Sequence, residues 1–86
     1  MQQSPEARRA RTIELIAEVI EIDPTRIRAG QRLRDDLGLD SLQSLELLSL
    51  LGDELRIELP MDEALELETV EDACAFVERT VSLIGG

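Results

Sequence analysis

Apolar residues in this chain recur at intervals of three and four, the spacing of one helix face, and no strand-like alternation survives beside them. That confines the chain to an all-α fold. From about Pro5 to Glu21 the positions Ile13, Ile16, Ala17 and Ile20 set a first helix, with Ser4 as its N-cap before Pro5. "DPTRI" then marks a turn, Asp23 offering a cap and Pro24 a preset φ, and the stretch from Gly30 to Gly38 holds no sustained period. It reads as a long loop anchored to the core through Ile27, Leu33 and Leu37. A second helix is expected from about Ser41 to Leu55, and a short third from about Asp62 to Leu67. Thr69 caps the last helix, with Asp72 completing a capping-box-like start and Val70, Ala73, Cys74, Val77, Val81 and Ile84 as its apolar stripe. The expectation is a small four-helix bundle with three longer helices, one short third helix and a long loop between the first two. A single domain spans residues 1–86, with 1–4 and 83–86 as frayed ends.

At 86 residues the chain has one small core, able to bury about two-thirds of the unfolded surface. It contains one Phe and no Trp, Tyr, His or Lys, so that core is built from Leu, Ile, Val and Ala. The single Cys74 excludes an internal disulfide and makes a reducing, cytoplasmic compartment the default expectation. Cys74 lies on the helix-four stripe with no His to activate it, so it reads as packing rather than as a nucleophile. Phe76 reads likewise as a core or edge filler. No apolar run reaches the roughly 18 residues of a membrane span, and "MQQSPEARRART" lacks a signal-peptide core.

Charge is unevenly distributed. Residues 1–34 carry seven Arg against five acids, and residues 35–86 carry two Arg against fourteen acids, for a net charge of −10. Such a surface repels nucleic acid and anionic membrane and steers basic protein patches toward it. The expected partners are basic proteins, met by a monomer.

The acids gather around "DDLGLDSLQSLELL", residues 35–48. Asp40 followed three residues later by Gln43 has the form of a capping box, which makes Asp40 the N-cap and sets Ser41 in the first helical turn with its hydroxyl toward solvent. A phosphate attached there meets free backbone N–H groups and the positive end of the helix dipole. Gly38 tolerates φ > 0 and lets the loop turn into the helix. On this physics alone, Ser41 is either an ordinary first-turn residue or a substrate for another enzyme. It is no catalytic nucleophile, because no His or Lys is available as base. Nor are the acids a calcium loop. An EF-hand register begun at Asp35 puts Leu37 and Leu39 at ligand positions and Asp40 where Gly is required.

"DDLGLDSLQSLELLSLLGDELRIELP", residues 35–60, resembles the core of the acyl carrier proteins. "LIAEVIEIDPTRI", the anchor Leu33 and "ETVEDACAFV" extend the resemblance over nearly all of residues 13–81. The resemblance implies that Ser41 receives 4′-phosphopantetheine, with Asp40 as its cap and companion and Leu42 as an adjacent partner contact. It implies acyl groups carried as thioesters, a phosphopantetheinyl transferase that installs the arm, and acyl ligase or synthase enzymes with basic docking patches. Gln43, Ser49 and Gly52 depart from the residues common in the family, which points to a dedicated carrier for a polyketide, a modified lipid or a secondary metabolite. The chain begins at Met1 and holds little beyond the domain, so a freestanding carrier is expected. A carrier of aminoacyl groups and an unmodified acidic adaptor remain as alternatives.

An angular count at about 100° per residue places Leu45, Leu48, Leu51 and Leu55 on the core side of helix two with Gly52. Gln43, Glu46, Asp53 and Glu54 lie opposite, with Leu50 among them and Leu42 at their border. Asp35, Asp36, Leu42, Glu46, Leu50, Asp53 and Glu54 are the expected partner-binding residues, charge for encounter and apolar area for residence. Leu45, Leu48, Leu51, Leu55, Leu65, Leu67 and Val70 are expected to line a space for an acyl chain between helices two, three and four, with no aromatic ring among them.

Overall fold

A computed structural model describes residues 4–85. The expected four helices form, α1 over Pro5–Ile20, α2 over Ser41–Leu55, α3 over Met61–Ala64 and α4 over Val70–Gly85, and no strand forms among the described residues. Ser4 accepts the N–H of Ala7 at 3.1 Å and Pro5 opens the first turn of α1. The helix ends where Glu21 turns left-handed at φ 59° and closes its N–H on the Ala17 carbonyl. Its buried face is Thr12, Leu15, Ile16, Ala17 and Val19, with Ile13 and Ile20 only partly covered. That face lies slightly round the helix from the expected one, because α1 packs against α4 and α2 together.

The loop between α1 and α2 begins with a 3₁₀ turn at Pro24–Arg26, capped by Asp23 through the Thr25 N–H at 2.9 Å. Ile27 and Leu33 are buried and Leu37 is half-buried, as their anchoring role requires. Leu39, which the loop reading omits, is also buried. The loop is tied to the start of α4 by backbone bonds from Leu33 N–H to Glu68 C=O (2.8 Å) and from Val70 N–H to Gln31 C=O (3.1 Å). These bonds account for α3 ending at Ala64 rather than Leu67. The chain must open from helix to reach the loop, and Glu66 and Leu67 already make three-residue turns onto Glu63 and Ala64.

Thr69 and Asp72 form the reciprocal box at the start of α4, each side chain accepting the other's N–H at 3.1 Å. Val70, Ala73, Cys74, Phe76 and Val77 are buried behind it and Val81 is partly covered. The side chain of Ile84 lies outside the described residues. So do Met1, Gln2, Gln3 and Gly86, which the sequence reading counts among frayed ends. Ser4 and Leu83, also counted there, are respectively the cap of α1 and part of α4.

The α2 core face corrects the angular count. Leu47 and Leu51 are buried, whereas Leu48 and Leu55 are half-buried and Leu45 is 37% exposed. Leu50, expected on the outer face, packs partly against the core. Leucine occupies seven of fifteen positions in α2 and so encircles it. Its rotation is set instead by tertiary packing, Leu47 and Leu51 being buried in the core and α1 lying against α2, with Arg11 donating to the Glu54 carboxylate at 2.9 and 3.0 Å beside that contact. Leu47, Leu51 and Glu54 share one stripe by their four- and three-residue spacing.

Candidate functional site

The start of α2 is built as a complete cap. Asp40 Oδ1 accepts the Gln43 N–H at 2.7 Å, and Gln43 Oε1 accepts the Asp40 N–H at 3.2 Å. Two otherwise orphaned donors are thereby satisfied. Leu39, buried just before the cap and bonded through its N–H to Leu33 C=O at 2.8 Å, fixes where the helix begins. Gly38 sits at φ +73° with open space where a side chain would stand, so the approach to the helix end is clear. Ser41 follows as the first residue of α2 and is exposed. Its own amide and that of Leu42 point out of the first turn, where a helix supplies no internal acceptor.

The other serines are placed differently. Ser4 caps α1, and Ser44 is half-buried with its hydroxyl donated to the Asp40 carbonyl at 2.9 Å. Ser49 lies on the exposed middle of α2 and Ser82 near the end of α4. Cys74 is no rival nucleophile. Burial, above all, pushes its thiol pKa up, with the nearby Arg9 opposing that shift.

Beside this helix end, Leu42 stands 74% exposed and Glu46, Ser49 and Asp53 continue its stripe along the outside of α2. Asp35 is exposed as well, while Asp36 uses one carboxylate oxygen to hold the Arg32 N–H at 2.7 Å. Glu54 is exposed but gives one carboxylate oxygen to Arg11 of α1, and Leu50 leans partly on the core. Behind α2 lies a cavity with about 30 Å³ of free space, room for a water or two. Of the seven residues expected to line it, Leu48, Leu51, Leu65 and Leu67 do. Leu45 and Leu55 do not reach it, and Val70 is sealed in the core. Phe76 supplies an aromatic wall where none was expected, reaching across from α4.

Residues 10–77 match the protein family described as the phosphopantetheine attachment site. The chain belongs to the acyl carrier protein family. It is 40% identical over 65 residues to the acyl carrier protein of Treponema denticola, covering 76% of this chain and 83% of that one. To the acyl carrier protein of Bdellovibrio bacteriovorus it is 35% identical over 66 residues, covering 77% and 85%. Among solved structures, a chain assigned as an acyl carrier protein from Mycobacterium tuberculosis matches with a TM-score of 0.79 at 32% identity, over 86% of this chain and 99% of that one.

As an acyl carrier protein the chain is not an enzyme; transferases and synthases act on it, and its prosthetic group is 4′-phosphopantetheine. The head of α2 fits such a group, with an exposed hydroxyl, a clear approach and unclaimed amides at the positive end of a fifteen-residue helix. No helix among the described residues is long and apolar enough to cross a membrane. Sequence reasoning found the cap because its signal is local. It missed Leu39, although the position before an N-cap commonly holds the apolar residue that sets the chain's entry angle.

Proposed function

We propose that Ser41 carries the 4′-phosphopantetheine arm and that this carrier presents acyl thioesters to the enzymes of fatty acid, polyketide or specialised lipid biosynthesis. One observation carries the assignment: Ser41 is the exposed hydroxyl at the capped start of α2, directly after Asp40 and Gly38. When the arm is installed, Ser41 Oγ attacks the CoA phosphorus that bears the pantetheine, and the diphosphate P–O bond breaks with 3′,5′-adenosine diphosphate as the leaving group. The serine proton goes to a base of the transferase, because this chain has no His or Lys to take it. The resulting phosphodiester sits where the Ser41 and Leu42 amides and the dipole of α2 favour negative charge. Asp40 keeps that helix end in register through Gln43. When bound, the arm supplies a thiol that holds acyl groups as thioesters.

The outer stripe of α2 is the proposed docking surface, with Leu42 for apolar contact and Asp35, Glu46 and Asp53 for steering toward basic enzymes. Gln43, Ser49 and Gly52 support a dedicated pathway over a housekeeping one. Incubation with a phosphopantetheinyl transferase and CoA, read by intact mass, tests the assignment. The wild type should gain one phosphopantetheinyl group and Ser41→Ala none. Modification persisting in the alanine variant, mapped to Ser44 or Ser49, would overturn it.

A further inference from the structure

The wall of the cavity behind α2 is aliphatic and aromatic except at two residues, Ser44 and Arg34. Ser44 is already spent, its hydroxyl donated to the Asp40 carbonyl. Arg34 is different. Arg8, Arg9, Arg11 and Arg32 each hold a carboxylate within 4.0 Å; Arg26, Arg28, Arg34, Arg56 and Arg79 hold none among the described residues, and of these Arg34 is the one that lines the cavity. It also borders an open cleft whose other walls include Arg32, Asp35, Glu66 and Glu68, and this cleft shares Leu65 and Leu67 with the cavity. Arg34 therefore stands on the rim where the closed apolar space meets solvent.

From this placement we infer that Arg34 is a cargo-binding residue that favours acyl groups carrying an oxygen, a carboxylate above all, close to the thioester. The inference rests on Ser41 bearing the arm. A plain hydrocarbon chain crossing the rim offers the guanidinium no acceptor. An oxygen a few bonds beyond the thioester does, and a carboxylate matches the planar N–H fork with two bonds. The cleft sharpens the preference, because its acids Asp35, Glu66 and Glu68 outnumber Arg32, which already faces Asp35 at 3.9 Å, and repel a carboxylate that Arg34 does not neutralise. The small free space behind the rim acts the same way. With about 30 Å³ available, a short cargo stays at the rim unless the leucines part, and the rim is where Arg34 stands.

The test loads the full-length protein with butyryl or malonyl phosphopantetheine from the corresponding CoA thioesters, verifies each form by intact mass, and compares melting temperatures and the Arg34 Nε–Hε NMR signal. In the wild type the malonyl form should melt higher than the butyryl form by several degrees, and malonyl alone should shift the Nε–Hε signal. In Arg34→Gln the order should reverse, since the added charge then meets three acids against Arg32, itself paired with Asp35, and Arg34→Lys should retain part of the malonyl advantage. A butyryl form at least as stable as the malonyl form in wild type, or an Arg34→Gln variant that keeps the wild-type order, would overturn the inference while leaving the arm on Ser41 intact. Absence of any mass gain at Ser41 would overturn the attachment reading itself, and this inference with it.

Discussion

The guanidinium of Arg8 in α1 grips the carboxylate of Glu78 in α4 through two nitrogens, at 2.6 and 2.8 Å. Next to it on α1, Arg9 holds Glu71 of α4, and Arg11 holds Glu54 of α2. The basic half of the sequence is thus partly consumed inside the fold, clamping α1 to its two neighbours. The Arg8 pair is the best shielded of these, with side-chain exposures of 15% and 34%. Exposed ion pairs contribute little, but a two-point Arg–carboxylate contact with partial burial contributes more. Glu78→Gln is expected to lower the melting temperature by a few degrees, and Glu14→Gln, at an exposed pair 3.5 Å from Arg11, by almost none. Thermal denaturation followed by circular dichroism distinguishes them.

The same contacts set an acid limit. Hydrogen bonds from Arg8 and Arg9 hold the Glu78 and Glu71 carboxyls below the usual carboxylate range. A folded pKa below the unfolded one contributes stability above the unfolded value, near pH 4.3 for Glu, and loses it as pH falls through the folded value. The melting temperature should therefore drop on acidification below about pH 4.5. A Glu71→Gln, Glu78→Gln double variant should start lower at pH 7 and fall less. An equal acid slope in both proteins would show that these two pairs do not carry it.

Removing the cap should loosen the candidate site itself. Asp40→Ala takes away the acceptor of the Gln43 N–H and is expected to cost about 1 kcal/mol, while Asp40→Asn should cost only a fraction of that. Urea denaturation of the unmodified protein measures both. Because the box orders the first turn of α2, the alanine variant should also show faster amide exchange at Gln43 and Ser44 than anywhere in α4.

Phe76 closes the cavity from α4 and is 1% exposed. Phe76→Leu removes ring volume that the aliphatic neighbours cannot wholly refill, so the unacylated protein should melt several degrees lower. The enlarged space should in turn accept more hydrocarbon, each buried CH₂ recovering about 0.8 kcal/mol. Loading with an octanoyl group should accordingly raise the melting temperature of Phe76→Leu more than that of wild type. An equal rise in both would place the chain outside the cavity.

What the sequence discloses and what it withholds divide along one line, local against long-range. The α2 boundaries, the Asp40–Gln43 box, the Thr69–Asp72 box and the loop anchors Ile27 and Leu33 follow from residues within a turn of one another, and the structure has them. The core face of α2 could not be read that way, because seven leucines encircle the helix and leave its rotation to be chosen by packing against other elements, α1 above all. The exchange of Leu45 for Leu47 and the inward lean of Leu50 follow from that choice. Phe76 escaped notice at the cavity for the same reason. Its neighbours there come from α2 and from the segment around Leu65, many residues away in the chain.

Gly52 shows how such a long-range demand can outweigh a local one. In the interior of α2 it forfeits about 1 kcal/mol of helix propensity relative to Ala, which invites replacement. Its carbonyl, however, accepts the N–H of Arg56, which turns left-handed at φ 58° to end the helix, and the N–H of Ile57 at 3.1 Å. This closure folds the chain back so tightly that a Cβ on residue 52 would lie 3.0 Å from the Ile57 carbonyl oxygen. That atom is backbone in a bonded turn and has little freedom to retreat. Gly52→Ala should thus lower the melting temperature despite its better propensity. Ser49→Ala, on the exposed middle of the same helix, has no such obstacle and should raise it slightly, by the few tenths of a kcal/mol that separate Ser from Ala. If Gly52→Ala proves the more stable of the two, the turn after α2 yields freely, and close approach is not the reason for glycine at that position.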